Sequence, residues 1–230
     1  MANLFDYIAW RGDLSFAQCP VCAVDSLVFA ALSYANLEVL VPDGFPSLPL
    51  QEAAEALMAR PDHDKLVRSE NDGKFLLTAA RSPRFRSVQV CCCRAKTLED
   101  LETQFGAMAF LLPDGSAFLA FRGTDLTLVG WKEDFNMSFQ DIVPAQTEAA
   151  EYLKEFAAVF DGPLYLTGHS KGGNLSVYAA ATASLDVQER IRAVYNYDGP
   201  GFGQSMMGSE GYLRMIPRIQ TYVPESSIIG

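Results

Sequence analysis

The sequence has 230 residues, of which 49% are hydrophobic and 20% are charged, and its formal net charge is −10. The length allows one domain with a sizeable core, and the composition is that of an ordinary globular protein. The acidic charge disfavours nucleic acid and anionic lipid as partners, because both would repel the chain. Small or neutral substrates remain compatible with it.

The N-terminal stretch does not have the pattern of a secretion signal. Asp6 stands where such a signal carries basic residues, and the apolar run around it is short. The most apolar stretch of the chain is interrupted at residues 113–115, so it is too short to cross a membrane. We therefore predict a cytoplasmic protein without stable membrane insertion.

The five cysteines do not have the layout of a disulfide framework, since their number is odd and three are consecutive. Cys19 and Cys22 have the spacing of half a zinc site or a redox pair, but no second Cys pair or Cys/His pair completes a tetrahedral site. Residues 91–93 lie in a β-prone stretch, where free cysteine behaves as a small hydrophobe. We expect neither a metal nor a cofactor.

The first third of the chain, residues 1–84, is predicted to be a helical segment that packs on the core. Apolar residues at helical spacing predict a helix over 23–40, which the following prolines and glycine end. Residues 50–60 and 62–70 predict two short polar helices separated by Pro61.

The rest of the chain, residues 85–230, has an α/β pattern. Strands are predicted first, as a meander, and then alternate with helices of a length typical of parallel crossovers. The predicted elements are strands over 85–94, 106–112 and 116–122, a helix over 148–160, a strand over 163–168, a helix over 171–184, and strands over 191–199 and 218–224. We predict a mixed, mostly parallel sheet flanked by helices.

Residues 168–172, Gly-His-Ser-Lys-Gly, match G-x-S-x-G and lie between a predicted strand and a predicted helix. A nucleophile elbow requires this setting, and the glycines give room where strand and helix cross. The free N–H groups at the start of the helix, including that of Lys171, point back toward Ser170 and favour an oxyanion. Ser170 is thus a candidate nucleophile; the alternative is a serine that only caps the helix.

A second polar turn, Gly123-Thr124-Asp125, follows the predicted strand over 116–122. A backbone N–H group and the Thr124 hydroxyl in this turn are placed to face the same pocket as Ser170. Thr124 is therefore a candidate second oxyanion donor.

Four stretches together carry a family resemblance: FRGTD at 121–125, GWKEDF at 130–135, GHSKGG at 168–173 and NYDGPGF at 196–202. They resemble the class 3 lipase branch of the α/β-hydrolases and, more closely, a bacterial family of uncharacterised lipase-like proteins. The resemblance implies an α/β-hydrolase core, with Ser170 as nucleophile. It further implies action on a small-molecule or lipid ester of a carboxylic acid through an acyl-enzyme.

Lys171 departs from the leucine that class 3 lipases usually carry after the serine. A buried cation there requires a carboxylate neighbour, for which Glu133, Asp134 and Asp198 are the candidates. The alternative is a lysine whose ammonium group is solvated.

The catalytic acid has two candidates. Asp198 ends the strand after the elbow helix, although it also suits a structural turn, and Glu225 ends the next strand. The lipase pattern has an Asp before an apolar pair, and that position falls on Ser227. The acid is therefore expected at Glu225 or Asp198.

The base is not supplied by either histidine of the sequence. Neither follows Ser170; His169 is expected to be a structural hydrogen-bonding residue and His63 a surface residue. We expect the C-terminal part that would carry a catalytic histidine to be missing, so that this chain hydrolyses esters only slowly. The alternative is a catalytically inactive hydrolase-fold protein with a binding or regulatory role.

Overall fold

The computed structural model describes residues 3–98, 103–124, 142–225 and 227. These residues form one sheet of seven strands, in the order β1 to β7, with helices on both faces. The strands are β1 Leu48–Pro49, β2 Gln89–Leu98, β3 Thr103–Leu111, β4 Ala117–Phe121, β5 Leu164–His169, β6 Ile191–Tyr197 and β7 Ile219–Tyr222. The helices are α1 Leu4–Arg11, α2 Ala23–Leu32, α3 Leu50–Met58, α4 Glu70–Arg81, α5 Pro144–Val159, α6 Lys171–Thr182, α7 Leu185–Arg190, α8 Gln204–Met207 and α9 Glu210–Met215.

The sheet is mixed, as the sequence predicts. Strands β1 to β4 pair antiparallel, and β4 to β7 pair parallel. Helices lie between the successive parallel strands, which is the connection that parallel pairing requires. The carboxyl ends of β4, β5 and β6 meet at one edge of the sheet, and this edge carries the candidate site.

Each face of the sheet has its own apolar core. On one face α2, α3 and α4 cover the sheet, with the Phe29 ring of α2 centred 4.8 Å from Phe110 and 4.7 Å from Phe118. A buried hydrogen bond of 2.8 Å between the Ser26 and Thr167 hydroxyls joins α2 to β5. On the other face α5 and α6 bury their apolar residues against the same strands. Burial on both faces explains the continuous apolar runs of β4 and β5.

A buried ion pair anchors the N-terminal helices. Arg84, which lies before β2, has its Nη2 2.5 Å from Asp25 Oδ2 of α2, and both side chains are fully buried. The Arg84 guanidinium also donates to the carbonyl groups of Leu14 and Cys19, and the Tyr7 hydroxyl of α1 donates to Asp25 at 2.8 Å. This network ties α1, α2 and the loop between them to the start of the sheet.

Two predictions in the N-terminal segment need correction, and one short strand there was not predicted. The helix predicted over 23–40 ends at Leu32, and a 3₁₀ turn follows over Leu37–Val39. Of residues 62–69 only His63–Lys65 form a helical turn, of the 3₁₀ type. The α-helix begins at Glu70, after Ser69, whose hydroxyl accepts from the Asp72 N–H. The short strand β1 had no sequence signal.

The missed helix α4 includes Gly73, an unfavourable residue inside a helix. A Cβ there would lie 2.9 Å from Met58 Cε, the flexible end of a side chain of α3 that can move aside. The helix forms because Phe75, Leu76 and Ala79 bury one of its faces in the core. Helix packing here overrides local propensity.

Of the described helices, none has the length and apolar character needed to span a membrane. All five cysteines are free thiols. The described residues contain no group of three His, Cys, Asp or Glu side chains arranged to hold a metal ion, and Cys22 is exposed.

Candidate active site

Ser170 lies in a sharp turn between β5 and α6. Its φ of 56° and ψ of −130° place a non-glycine residue at positive φ, which is uncommon and costs conformational energy. Two backbone bonds hold this conformation: the Ser170 N–H donates to the Tyr197 carbonyl at 2.8 Å, and the Ser170 carbonyl accepts from the Gly173 N–H at 2.8 Å. The hydroxyl makes no capping bond to α6, which contradicts the helix-cap alternative.

The glycines around Ser170 permit a very close approach of backbones. A Cβ at Gly168 would lie 2.1 Å from the Gly172 carbonyl oxygen, and a Cβ at Gly172 would lie 2.1 Å from the Phe121 carbonyl oxygen. A Cβ at Gly173 would lie 2.1 Å from Asn196 Oδ1. Any side chain at these positions would force the strands and α6 apart.

Lys171 is buried, with only 1% of its surface exposed, so the solvated alternative is wrong. Its Nζ donates to the Gln104 carbonyl at 2.9 Å, across the antiparallel part of the sheet. Two of its candidate carboxylate neighbours, Glu133 and Asp134, lie outside the described residues. The Lys171 N–H is in the first turn of α6, where helix N–H groups have no acceptor within the helix.

The turn after β4 lies against the elbow. Phe121 pairs with Gly168, and a Cβ at Gly123 would lie 2.5 Å from the His169 carbonyl oxygen. Thr124, the next residue, is half-buried at this position. The structure therefore brings Thr124, Ser170 and Lys171 to the same edge of the sheet.

Arg122 secures that turn, although sequence reasoning gave it no role. Its Nε donates to the Ser33 carbonyl at 2.6 Å, and its Nη2 lies 3.0 Å from Glu38 Oε2. These contacts attach the FRGT stretch to the segment after α2. An arginine at the end of an apolar strand was the available signal.

The two histidines are engaged away from Ser170. His169 Nδ1 lies 3.0 Å from the Tyr34 hydroxyl, and His63 Nδ1 lies 2.9 Å from the Arg60 carbonyl oxygen. Burial lowers the pKa of His169, and the positive charge of Arg68 acts in the same direction, whereas Asp198 opposes it. His169 is thus a neutral, hydrogen-bonded ring in the wall of the site.

Asp198 lies next to the elbow, at the carboxyl end of β6. It too has positive φ, 55°, and its N–H donates to the Tyr222 carbonyl at 2.9 Å. Its Oδ1 accepts a short hydrogen bond from the Ser227 hydroxyl. The position where the lipase pattern has its Asp is therefore in contact with Asp198, whereas Glu225 is exposed.

Two asparagines fix the loop that follows Asp198. Asn174 Nδ2 of α6 donates to the Pro200 carbonyl at 3.0 Å, and its Oδ1 accepts from Gln146 of α5 at 2.8 Å. Asn196 Oδ1 accepts from the Gly199 N–H at 3.0 Å. Both asparagines are buried, and these bonds hold the loop beside the N-terminus of α6.

A serine in a strained strand–turn–helix elbow on a mixed sheet defines an α/β-hydrolase fold. The antiparallel strands before β4 and the helical crossovers after it complete that architecture. Within this class, the chain belongs to the Mbeg1-like family, whose family model matches residues 79–230. The lipase-like resemblance of the sequence is thereby confirmed.

A solved lipase structure shares the fold. The M37 lipase matches with a TM-score of 0.54 at 14% identity, over 88% of this chain and 67% of the lipase. The Rhizomucor miehei lipase–propeptide complex matches with a TM-score of 0.49 at 13% identity, over 89% of this chain and 61% of that lipase. A fungal lipase–inhibitor complex matches with a TM-score of 0.48 at 16% identity, over 90% of this chain and 72% of that lipase. The chain thus spans about two thirds of the length of these lipases, and no curated protein sequence matches it.

Proposed function

We propose that the protein is a serine hydrolase that acts on carboxylic esters through an acyl-enzyme at Ser170. The observation that carries this proposal is the left-handed backbone of Ser170 between β5 and α6. Strained residues of this kind concentrate at functional sites, because only a surrounding structure that over-determines them keeps them in place. Here that structure is the set of glycine contacts with Phe121 and Asn196.

In this proposal the Ser170 hydroxyl attacks the ester carbonyl carbon, and the oxyanion forms beside two donors. One donor is the Lys171 N–H at the start of α6, where the helix dipole also favours negative charge. The other is Thr124, through its N–H or its hydroxyl, at the end of the neighbouring strand. The burial of Lys171 supports a fixed position for the first donor.

We assign the role of catalytic acid to Asp198. It follows Tyr197, whose carbonyl binds the Ser170 N–H, and it has a hydrogen bond from Ser227 that restrains its carboxylate. Glu225, the other candidate, is exposed and therefore has less to orient it. A carboxylate that orients a base must itself be held in place.

We assign the general base to neither histidine, because in the described part of the chain each ring binds through Nδ1, His63 to Arg60 and His169 to Tyr34, and neither ring is hydrogen-bonded to Ser170. These contacts also favour the second candidate function, a hydrolase-fold protein that binds a ligand or partner without turnover. The lipid or acyl nature of the ester rests on the fold shared with the M37 lipase, which is an analogy of fold.

A fluorophosphonate probe distinguishes these two functions. We expect slow formation of a covalent adduct on Ser170, because the oxyanion donors act without a histidine base, and no adduct after Ser170→Ala; peptide mass spectrometry maps the adduct. Ser205→Ala, a change at an exposed serine of α8, is the matched control and should label normally. Equal labelling of the wild type and Ser170→Ala, or an unlabelled Ser170 after prolonged incubation, would support the binding protein instead.

A further inference from the structure

Strand β2 contains a bulge that brings two neighbouring thiols to one face of the sheet. Its register with β3 shifts between Cys91 and Arg94, and Cys92 has a φ of 50°. In a regular strand consecutive side chains point to opposite faces. Here Cys91 and Cys92 both belong to the core beneath α5, whereas Cys93 belongs to the core on the other face.

The conformation of Cys92 is held by specific backbone contacts. Its N–H donates to the Gly44 carbonyl at 2.7 Å, and its carbonyl accepts from the buried Tyr152 hydroxyl at 2.8 Å. A cysteine at positive φ is uncommon, and the structure retains it here away from Ser170. The pairing of the two thiols is therefore a built feature of the bulge.

A cavity of about 270 Å³ reaches this thiol pair from one side, lined by Asp43, Phe45, Cys92, Arg94 and Tyr152 among others. Cys92 is 5% exposed and Cys91 is completely buried, so the cavity gives access to Cys92 alone. A water molecule takes up about 30 Å³ of liquid, so the cavity has room for a small hydroperoxide.

The electrostatics favour a thiolate at Cys92. The neighbouring Cys91 thiol lowers the pKa of Cys92, and Cys92 in turn raises the pKa of Cys91. Arg94 and the backbone at Gly44 also lower the pKa of Cys92, whereas burial and Asp43 oppose them. Burial raises the pKa of Cys93. Since the thiolate is the reactive form, Cys92 is the nucleophile of the three.

We propose that Cys92 and Cys91 are a peroxide-reactive pair, in which a hydroperoxide entering the cavity oxidises Cys92 and Cys91 then closes a disulfide with it. In the first step the Cys92 thiolate attacks the terminal peroxide oxygen. The S–O bond forms, the O–O bond breaks, and the leaving alkoxide or hydroxide takes a proton from solvent.

In the second step the Cys91 sulfur attacks the Cys92 sulfenic sulfur. The S–S bond forms, and the hydroxyl leaves as water with the thiol proton of Cys91. Overall, two thiols are oxidised and one hydroperoxide is reduced to an alcohol and water, or to two waters when it is hydrogen peroxide. Cys93 takes no part, because its thiol is in the opposite core.

Peptide mapping of the folded wild-type protein tests whether peroxide forms the disulfide between Cys91 and Cys92. Trypsin releases residues 87–94 as one peptide that contains all three cysteines. After treatment with hydrogen peroxide, denaturation and iodoacetamide, we expect this peptide to lose two hydrogens and to carry a single carbamidomethyl group, on Cys93. Reduction with dithiothreitol before alkylation should restore three alkylated cysteines.

Variants separate the two steps. Cys91→Ser should stop at a sulfenic acid on Cys92, trapped by dimedone, and Cys92→Ser should leave Cys91 unoxidised. Cys93→Ser is the matched control and should still form the disulfide. The proposal is overturned if Cys91 and Cys92 both stay alkylatable while exposed Cys22 is oxidised, or if Cys92 proceeds to sulfinic acid beside a free Cys91. The peptide map of the wild-type protein tests for the disulfide by itself, so a variant that does not fold leaves the test intact.

Discussion

At the scale of single residues, the site depends on positions where backbone geometry allows one residue type. Ser170 has positive φ, and Gly172 behind it contacts the backbone of β4. The motif G-x-S-x-G is therefore a packing requirement as well as a catalytic pattern. A side chain at Gly172 would collide with the Phe121 carbonyl of β4.

Gly172→Ala tests that packing. Its Cβ would lie 2.1 Å from the Phe121 carbonyl oxygen, so we expect a loss of about 1–3 kcal/mol in the free energy of unfolding, as for overpacked cores, together with weaker fluorophosphonate labelling. Gly201→Ala, where a Cβ would meet nothing within 4 Å, is the control and should change stability little. Urea unfolding of both variants measures the difference. Equal stability would show that the elbow relaxes freely.

The buried ring of His169 gives a pH-dependent prediction. Burial lowers its pKa below the ordinary value of about 6.5, so the unfolded chain binds a proton more readily than the folded protein does. As the pH falls below about 6.5, protonation of the unfolded chain should therefore lower the free energy of unfolding. Above that pH the ring is neutral in both states, and His169 should leave the free energy of unfolding unchanged. NMR titration of the ring should give a lowered pKa.

Neighbouring charges refine this prediction. Arg68→Gln should raise the pKa of His169, and Asp198→Asn should lower it further, because the two charges act on the ring in opposite directions. An unchanged pKa in both variants would show that neither charge reaches the ring.

At the scale of secondary-structure elements, the N-terminal helices are part of the main core. Helix α2 covers β4 and β5, contributes the Ser26–Thr167 bond, and precedes Tyr34, which binds His169. The buried pair of Arg84 and Asp25 joins these helices to the sheet. The elbow is thus supported from the face opposite α6.

Breaking the buried ion pair of Arg84 and Asp25 should destabilise the folded protein. We expect Asp25→Asn to lower the free energy of unfolding by about 3–5 kcal/mol, because the guanidinium would stay buried without its counter-charge. Glu70→Gln is the control: its pair with Lys74 is exposed, and such surface pairs contribute little to stability. Chemical denaturation followed by circular dichroism compares the two variants. A loss for Asp25→Asn no larger than for the control would contradict an anchoring role.

At the scale of the whole molecule, seven strands bring the ends of β4, β5 and β6 together, and each contributes one part of the proposed site. Thr124 follows β4, Ser170 follows β5, and Asp198 follows β6. Parallel pairing makes this possible, because all three strands end at the same edge. The general base is the one part of the site that neither histidine supplies.

That arrangement predicts weak turnover by the 230-residue chain. In triad enzymes, loss of a member leaves an enhancement of about 10³ to 10⁴ over water, from the oxyanion donors and binding. We expect p-nitrophenyl ester hydrolysis at this residual level, and a comparison with Ser170→Ala measures it. Turnover normal for an esterase, abolished by Ser170→Ala, would show that a group within this chain supplies the base.

The sequence by itself determined the alternation of strands and helices after Phe85 and the position of the elbow, because apolar spacing and glycine placement are local properties. It failed at residues 62–70, where the helix begins only after Ser69, and at Gly73, where burial of the apolar face of α4 overrides local propensity. Only the tertiary structure decided the burial of Lys171, the bond between Asp198 and Ser227, and the contact of Tyr34 with His169. These depend on groups far apart in the chain, and no local pattern encodes which of them meet.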